Sequence, residues 1–527
     1  MTSIMSVSVL EQSVADVDDN SACEHACSAL PDPWAIAVLA TVISGAWVSR
    51  PSLWFDEAAT ISASASRTVP ELWKLLNHVD AVHGLYYLLM HGWFAIFPST
   101  EFWSRFPSCL AIGAAAAGVT VFTRKFATRT TAIYAGIIFA ILPRITWAGI
   151  EARSSALSVA AAMWLTVLLV AATRHNKPQL WLCYALALML SILLSLTLAT
   201  LVLVYAVVLP WLAPNKIRNS SFIWWAVTSA VALGTITPFI LFAHEQIRQV
   251  GWIFRVSWHY AFDITQRQYF DHSVSFAIAT AMIIVAAIAA RLSGLRAQGG
   301  DLRSLVIICA AWIVIPTTLL VGYSAVFEPV YYPRYLILTA PAAAIVIAVC
   351  IVTVARKPWP ITGVLVLFAV AAFPNYLLTQ RGRYAKEGWD YSQVADVISS
   401  QAAPGDCLIV DNTVPWRPGP IRALLAARPM AFRSLIDVER GFYGPKVGAL
   451  WDGHVAVWLV TAKISKCSTV WTISDRDTSL PDHQTGQLLS PGLTLRCAPA
   501  YQFPSYLGFR IVERWQFNYS QVIKSTR

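Results

Sequence analysis

The sequence predicts an α-helical polytopic membrane protein with about eleven transmembrane helices and a C-terminal extracytoplasmic α/β domain. Three observations predict it. Of the 527 residues, 57% are apolar and only 13% charged, against roughly 45–50% and 25% in soluble domains, and the mean hydropathy is +0.56. Apolar runs long enough for a hydrocarbon core of ~30 Å recur from residue 33 to residue 378. Residues 379–527 then turn mixed in polarity, about one domain's worth of chain. This composition excludes a disordered chain, a nucleic-acid-binding tail protein and an ordinary soluble enzyme. The 22 Trp, 18 Tyr and 23 Phe suit aromatic belts at two membrane interfaces.

Taken in order, residues 1–32 carry Glu11, Asp16, Asp18, Asp19 and Glu24 and no basic n-region. They read as a disordered cytoplasmic tail and not as a signal peptide. The membrane domain occupies 33–378, with an outer loop at 50–102. Its expected spans are 33–49, 103–123, 131–149, 154–172, 179–196, 198–213, 222–243, 273–291, 303–323, 335–355 and 359–378. The run 83–97 is shorter, carries His83 and His91, and suits an interfacial helix.

Charge gives the sidedness. Arg124, Lys125 and Arg129, then Arg174 and Lys177, Lys216 and Arg218, Arg291, Arg296 and Arg303, and Arg356 and Lys357 fall in alternate loops, which marks them as cytoplasmic. The acids between residues 33 and 380, Asp301 excepted, fall on or near the opposite side. An odd number of spans then places residues 379–527 outside. That region holds β-like runs at 407–412, 455–461 and 468–474, a Pro/Gly-rich turn at Pro415–Pro420 and a helical stretch at Tyr391–Gln401, the pattern of a small α/β domain. Of nine cysteines, Cys407, Cys467 and Cys497 lie there; two of them can pair if the region faces an oxidising compartment.

Five constellations can carry chemistry. Asp56 and Glu57 follow the first span, where a mixed dielectric can tune a carboxylate into a base; a helix cap or interface anchor needs the same residues. His78, Asp80, His83 and His91 ring the outer loop ahead of Tyr86 and Tyr87. They fit a sugar site or an aromatic belt, and the spacing of His83 and His91 does not suit one shared zinc. Glu151 and Arg153 stand at the outer end of the 131–149 span, used or merely paired. Arg334, beside Tyr332 and Tyr335 at the outer mouth of another span, can grip a phosphate or snorkel. Asp475-Arg476-Asp477 is a DxD triplet that reads chiefly as a surface turn. No P-loop or dinucleotide fingerprint is present. Four of the five converge on one outer face, the arrangement of a site for a membrane-borne substrate.

The order of these motifs resembles the GT-C superfamily of polytopic glycosyltransferases, in the branch of bacterial protein O-mannosyltransferase-like and lipid A aminoarabinose transferases. The carrying residues are Leu53–Ala58 (LWFDEA), His83–Leu89 (HGLYYLL, with Gly84 where proline is usual), Glu101–Ser108 (EFWSRFPS), Glu151–Leu157 (EARSSAL, with Ser155 where tyrosine is usual), Arg334-Tyr335-Leu336, and the stretch from Tyr391 to Val410. The chain is also similar to actinobacterial transferases that build lipoarabinomannan. The resemblance implies transfer of a mannosyl residue from a polyprenyl-monophosphate sugar to a cell-envelope glycan or glycolipid by inverting single displacement. Asp56 would be the catalytic base. Arg334, Tyr332 and Arg153 would bind the donor phosphate. Glu57, His83 and Glu151 would bind substrate. No metal ligands are assigned, and a requirement for a divalent metal stays open. The expected partners are the lipid-linked donor, the acceptor and membrane lipid, with no nucleic acid, and the location is the plasma membrane. Three other readings remain: an arabinofuranosyltransferase using a polyprenyl-phosphate arabinose donor, a lipid-linked sugar flippase or transporter, and a structural membrane scaffold that presents the C-terminal domain. The flippase expects charges inside the spans and paired halves, whereas here charges gather at the outer rim and no repeat is visible.

Overall fold

The computed structural model describes residues 31–212, 217–293, 302–355, 357–412 and 422–527. The acidic tail, Lys216, Arg296, Asp301, Arg356 and the Pro415–Pro420 turn lie outside the described residues. The helical part comprises α1 (Pro31–Gly45), α2 (Phe55–Ser64), α3 (Val69–Leu76), α4 (Gly84–Phe94), α5 (Glu101–Arg124), α6 (Arg129–Ile141), α7 (Pro143–Gly149), α8 (Ser155–His175), α9 (Pro178–Leu194), α10 (Thr200–Leu212), α11 (Arg218–Glu245), α12 (Val274–Leu292), α13 (Leu302–Val326), α14 (Ala340–Ala355) and α15 (Pro358–Pro374). Each expected span falls on one or two of these helices. Among the described residues, seven helices are long and apolar enough to cross a membrane, α14 and α15 counted with the helical turns Pro333–Thr339 and Asn375–Gln380 that adjoin them, or eight if α6 and α7 form one bent span. The chain is a multi-pass membrane protein. The eleven expected from sequence also counted helices such as α1 and α9, which have 15 and 17 residues and fall below the ~20 that a perpendicular crossing needs.

The bend between α6 and α7 is 62°. Pro143 opens α7, and Leu142 before it is extended at ψ 123°, because proline drives its predecessor out of the helical region and supplies no N–H. The consequence is functional. The bent span ends at Gly149, and residues 150–154 run irregularly before α8, which frees their backbone for pairing with α2. Gly149 lets α1 come close: a Cβ there would sit 2.6 Å from Ser44 Oγ.

The C-terminal part begins with α16 (Tyr391–Gln401), at the limits read from sequence, and continues through β1 (Cys407–Val410), α17 (Arg422–Ala427), β2 (Ile436–Asp437), β3 (Thr469–Asp475), β4 (His483–Thr485), β5 (Arg510–Gln516) and β6 (Ser520–Thr526). The sheet order is β2-β1-β3-β6-β5-β4. β1 lies parallel to β2 and β3, with Cys407 opposite Val470, and the remaining pairs are antiparallel. Cys407 and Cys467 form a disulfide, and Cys497 is free and exposed. The run 455–461 is not a strand. It forms short helical turns at Val457–Leu459 and Thr461–Ile464 that bury Val457, Val460 and Ile464 while Trp458 and Leu459 are exposed. Burial at three- and four-residue spacing is helical, and an unbroken apolar run hides it.

The two parts share a core. Leu53, Trp54, Ala58 and Ile61 of the outer loop pack with Trp389, Val394, Leu408, Leu424 and Trp471. Helix α2 is therefore clamped between membrane helices and sheet, with its N-terminus, which carries Asp56, held in place.

Candidate active site

Asp56 is in the first turn of α2. Its Oδ2 lies 2.9 Å from Arg334 Nη2 and its Oδ1 3.9 Å from Arg153 Nη2. The side chains of Asp56 and Arg334 are 15% and 14% exposed. Burial pushes the Asp56 carboxyl up, but Arg334, Arg153 and His83 together outweigh it and hold it below the ordinary value of 3.8. Asp56 is thus ionised at neutral pH. The Arg334 guanidinium lies over three rings, those of Trp54, Tyr332 and Tyr335, at 5.4, 5.2 and 6.0 Å, which holds a planar cation by cation–π attraction.

A second layer positions Asp56 from the outer loop. Arg153 donates to the Tyr87 hydroxyl at 3.0 Å, and Tyr87 donates to Asp80 Oδ2 at 2.8 Å. Arg153 Nη2 is 3.2 Å from His83 Nε2. A guanidinium only donates, so His83 accepts there and carries its proton on Nδ1. That Nδ1 is buried without a protein partner. Burial, Arg153 and Arg334 hold the imidazole well below 6.5, so it is neutral. His83 can offer an N–H to a hydroxyl beside Asp56.

Glu151 is fully buried. Its Oε1 is 3.7 Å from Arg334 Nη1, and its Oε2 accepts from Ser155 Oγ at 3.3 Å. Burial pushes its carboxyl up against the pull of Lys386 and Arg334.

Glu57 departs from the expected substrate-facing position. It is fully buried, and both its oxygens are taken by Arg105, at 2.7 and 2.6 Å. Oε1 also accepts from Ala152 N at 3.0 Å. The other donors of Arg105 go to the carbonyls of Val48, Pro51 and Ser52 at 2.8–2.9 Å, so all five N–H groups are used. Ser108 Oγ adds a 2.6 Å bond to Glu151 O, and Thr60 Oγ1 a 2.9 Å bond to Ala152 O. Glu57 and Arg105 therefore tie α2, α5, the loop 48–52 and the segment after α7 together, with Asp56 on the adjoining residue.

A cavity of about 310 Å³ opens beside Arg334, lined also by Trp54, Trp147, Tyr332, Arg144, Arg267 and Lys386. Asp56 and Arg153 are not among its lining residues; Arg153, expected at the phosphate, faces Asp56, Tyr87 and His83. A second cavity of about 630 Å³ lies where the outer loop meets the sheet domain, lined by Ser62, Arg67, Arg433, Tyr443 and Trp451. The ring of Trp451 is 5.5 Å from that of Phe55, next to Asp56.

Other candidates lie elsewhere. His78 and His91 each bond a backbone carbonyl, of Lys74 and Ser64. Asp477 Oδ1 accepts from the Ser479 N–H and hydroxyl, and its Oδ2 from Thr494 N, the bonding of a turn residue. No cluster of three or more His, Cys, Asp or Glu among the described residues could hold a metal ion. Sequence reasoning quoted Arg105 inside a motif without giving it a role, and passed over Arg144, Arg267 and Lys386. The signal for Arg105 was a charge within a 24-residue apolar helix, where an unpaired cation is too costly to keep.

No family model matches the chain, and no curated protein matches it. Two crystal structures of ArnT from Cupriavidus metallidurans are similar to it, one bound to undecaprenyl phosphate and one in the apo state. Identity is 13% and 12%; in both cases the TM-score is 0.52, and the match covers 93% of this chain and 97% of that one. The likeness is one of fold: the chain shares the architecture of these ArnT structures over nearly its whole length.

Proposed function

We propose that this protein is a membrane glycosyltransferase that takes a sugar, mannose in our reading, from a polyprenyl monophosphate and adds it to a cell-envelope glycan or glycolipid such as lipoarabinomannan. The observation that carries the reading is the Asp56–Arg334 pair, an ionised carboxylate and a ring-stacked cation set beside a cationic cavity in an ArnT-like fold. One solved structure of that fold holds undecaprenyl phosphate, which supports a lipid-linked donor here. By the charge pattern of the loops, the site and the sheet domain face outward and the N-terminus faces the cytoplasm.

The geometry supports an inverting single displacement. The donor's phosphate enters the 310 Å³ cavity and draws Arg334 toward it. Asp56 thereby loses part of its counter-charge; an opposite charge within ~4–6 Å lowers a carboxyl pKa by about 1–3, so donor binding makes Asp56 more basic. An acceptor hydroxyl, oriented by His83 Nδ1–H, gives its proton to Asp56 as its oxygen attacks the anomeric carbon. The bond from that carbon to the phosphate oxygen breaks, and the electron pair leaves with the phosphate. Negative charge grows there in the transition state, where a fixed cation contributes most. Tyr332 walls the cavity, and Glu151 and Arg153 hold Arg334 and Asp56 in register. A β-linked donor gives an α-linked product. The acceptor approaches from the 630 Å³ cavity, past Trp451.

The test uses membranes from cells lacking the native gene, supplied with labelled polyprenyl-phosphate mannose. The expected result is label in glycan or glycolipid with the wild type and none with Asp56→Asn at matched expression. Equal label in both removes Asp56 as the base. Transfer only from polyprenyl-phosphate arabinose replaces mannose as the donor sugar, and transport without transfer replaces the enzyme by a flippase.

A further inference from the structure

Four cations line the cavity beside Arg334. Arg144 is paired with Asp271 at 2.9 Å, Arg267 with Asp263 at 3.2 Å and Arg334 with Asp56. Lys386 differs. It is 1% exposed, and among the described residues its Nζ has neither a hydrogen bond nor a carboxylate within ion-pair distance. The ring of Trp147, which also lines the cavity, lies 4.1 Å from Nζ. A buried ammonium without a partner is expensive. It persists where surrounding structure enforces it.

The backbone around Lys386 is enforced from both sides. Upstream, Arg381 is fully buried and donates to the carbonyls of Ala46 and Ser44 at 2.9 and 3.1 Å, stacked 4.2 Å over Tyr376. Downstream, the turn between β5 and β6 grips the chain. Tyr519 Oη donates to Glu387 O at 3.0 Å, Asn518 Nδ2 to Gly388 O at 2.8 Å, and Asp390 accepts from the N–H groups of Tyr519 and Ser520 at 2.8 and 2.7 Å. Glu387 and Gly388 both have positive φ, 53° and 87°. Glu387 adopts that conformation at a cost. Gly388 is required, since a Cβ there would lie 2.5 Å from Tyr519 Oη. This turn lodges Lys386 in the cavity wall.

We propose that Lys386 is a direct ligand of the donor's phosphate, the partner of Arg334 in the lining of the same cavity, held in place by the C-terminal domain. The inference rests on the glycosyltransferase reading and names a group that the reading does not contain. A phosphate entering the cavity meets a cation already stripped of water, with no carboxylate of the described residues within ion-pair distance. Arg334, by contrast, must give up part of its hold on Asp56. The phosphate gains two cations from separate parts of the fold, and the C-terminal domain becomes necessary for donor binding as well as for covering the site.

Proton linkage follows. Burial pulls the Lys386 ammonium down to about 8 in the empty site, against the attraction of Glu151, Glu57 and Asp271 and with the repulsion of Arg105; Arg144, Arg267, Arg334, Glu387 and His272 also line the cavity. A bound phosphate favours the charged ammonium and raises that value again. Affinity for the phosphate is therefore full below about 8 and falls as pH rises through it. Arginine at this position stays charged and removes the fall.

The experiment measures undecaprenyl monophosphate binding to the full chain in nanodiscs from pH 6.5 to 9.5, for wild type, Lys386→Met and Lys386→Arg. Methionine keeps the length and the ring contact and removes the buried charge, so it should fold. Loss of a charged hydrogen bond is expected to weaken binding about 10- to 100-fold in Lys386→Met, with a flattened pH profile. Lys386→Arg should keep affinity and lose the alkaline fall. Wild-type affinity in Lys386→Met, or the same alkaline fall in Lys386→Arg, overturns the proposal while leaving the donor reading intact. No binding by any form, wild type included, overturns the donor reading and the proposal with it. Displacement of the lipid by equimolar inorganic phosphate overturns the lipid assignment, because the site then takes the free anion.

Discussion

Replacing Glu57 by Gln is the sharpest test of how the site is built. Gln has the same shape, so little packing changes, but Arg105 becomes an uncompensated cation with both side chains fully buried. Breaking one partner of such a pair costs about 3–5 kcal/mol. The amide also presents N–H groups to a guanidinium whose five donors are already committed. Removing the charge as well, in Glu57→Gln with Arg105→Met, should recover only part of the loss. The carbonyls of Val48, Pro51 and Ser52 would then lack the donor they have now, at about 1–3 kcal/mol for each buried acceptor left bare. The assay is thermal unfolding of the purified protein, paired with donor and acceptor kinetics for the fraction that stays folded. A structural role gives a large fall in midpoint for the single variant and a smaller, incomplete recovery in the double. The substrate-contact role suggested by sequence gives wild-type stability and a raised acceptor KM. That second result would refute the reasoning.

Three further outcomes are expected. Arg334→Lys keeps the charge but loses the planar fork; with about 1.5–3 kcal/mol per charged hydrogen bond, kcat should fall about 10- to 100-fold at unchanged fold, read by transfer assay. The acid limb of kcat/KM reports the free enzyme's base. Because Asp56 is held below 3.8, activity should persist down through the ordinary carboxyl range, and the stability that this carboxylate contributes is complete above 3.8 and lost as pH falls through its folded value. Arg153→Gln removes one lowering cause and should move the limb upward; a wild-type limb at ~5–6 contradicts the assignment. Cys407→Ser opens a link spanning 60 residues and should cost about 2–5 kcal/mol, read as earlier protease cleavage of the sheet domain.

Much of this was legible in the residues. Apolar length and charge alternation marked the membrane helices, because a bilayer imposes one period and one length on any sequence that crosses it. The Tyr391–Gln401 helix, the strands at 407–410 and 469–475, and the gathering of Asp56, His83, Glu151, Arg153 and Arg334 could be read in the same way. Motif order set Asp56 apart from Glu57 but gave Glu57 to substrate and not to Arg105. Adjacent residues on a helix point about 100° apart, and which of the two faced Arg334 and which faced Arg105 depended on how α2 is clamped between α5 and the sheet. Nor could periodicity alone tell the helical turns at 457–464 from a strand in an apolar run.

The sequence by itself determined the class of environment, the membrane helices and the small set of charged residues that must be paired or used, since hydropathy and the cost of burying charge are properties of each residue and its neighbours along the chain. Only the tertiary structure decided which charges meet. Arg105 closes on a partner 48 residues away, Arg334 on one 278 positions earlier in the chain, and Lys386 is left without one by a turn that residues 518–520 hold in place. Such pairings depend on distances in space, which local patterns do not encode.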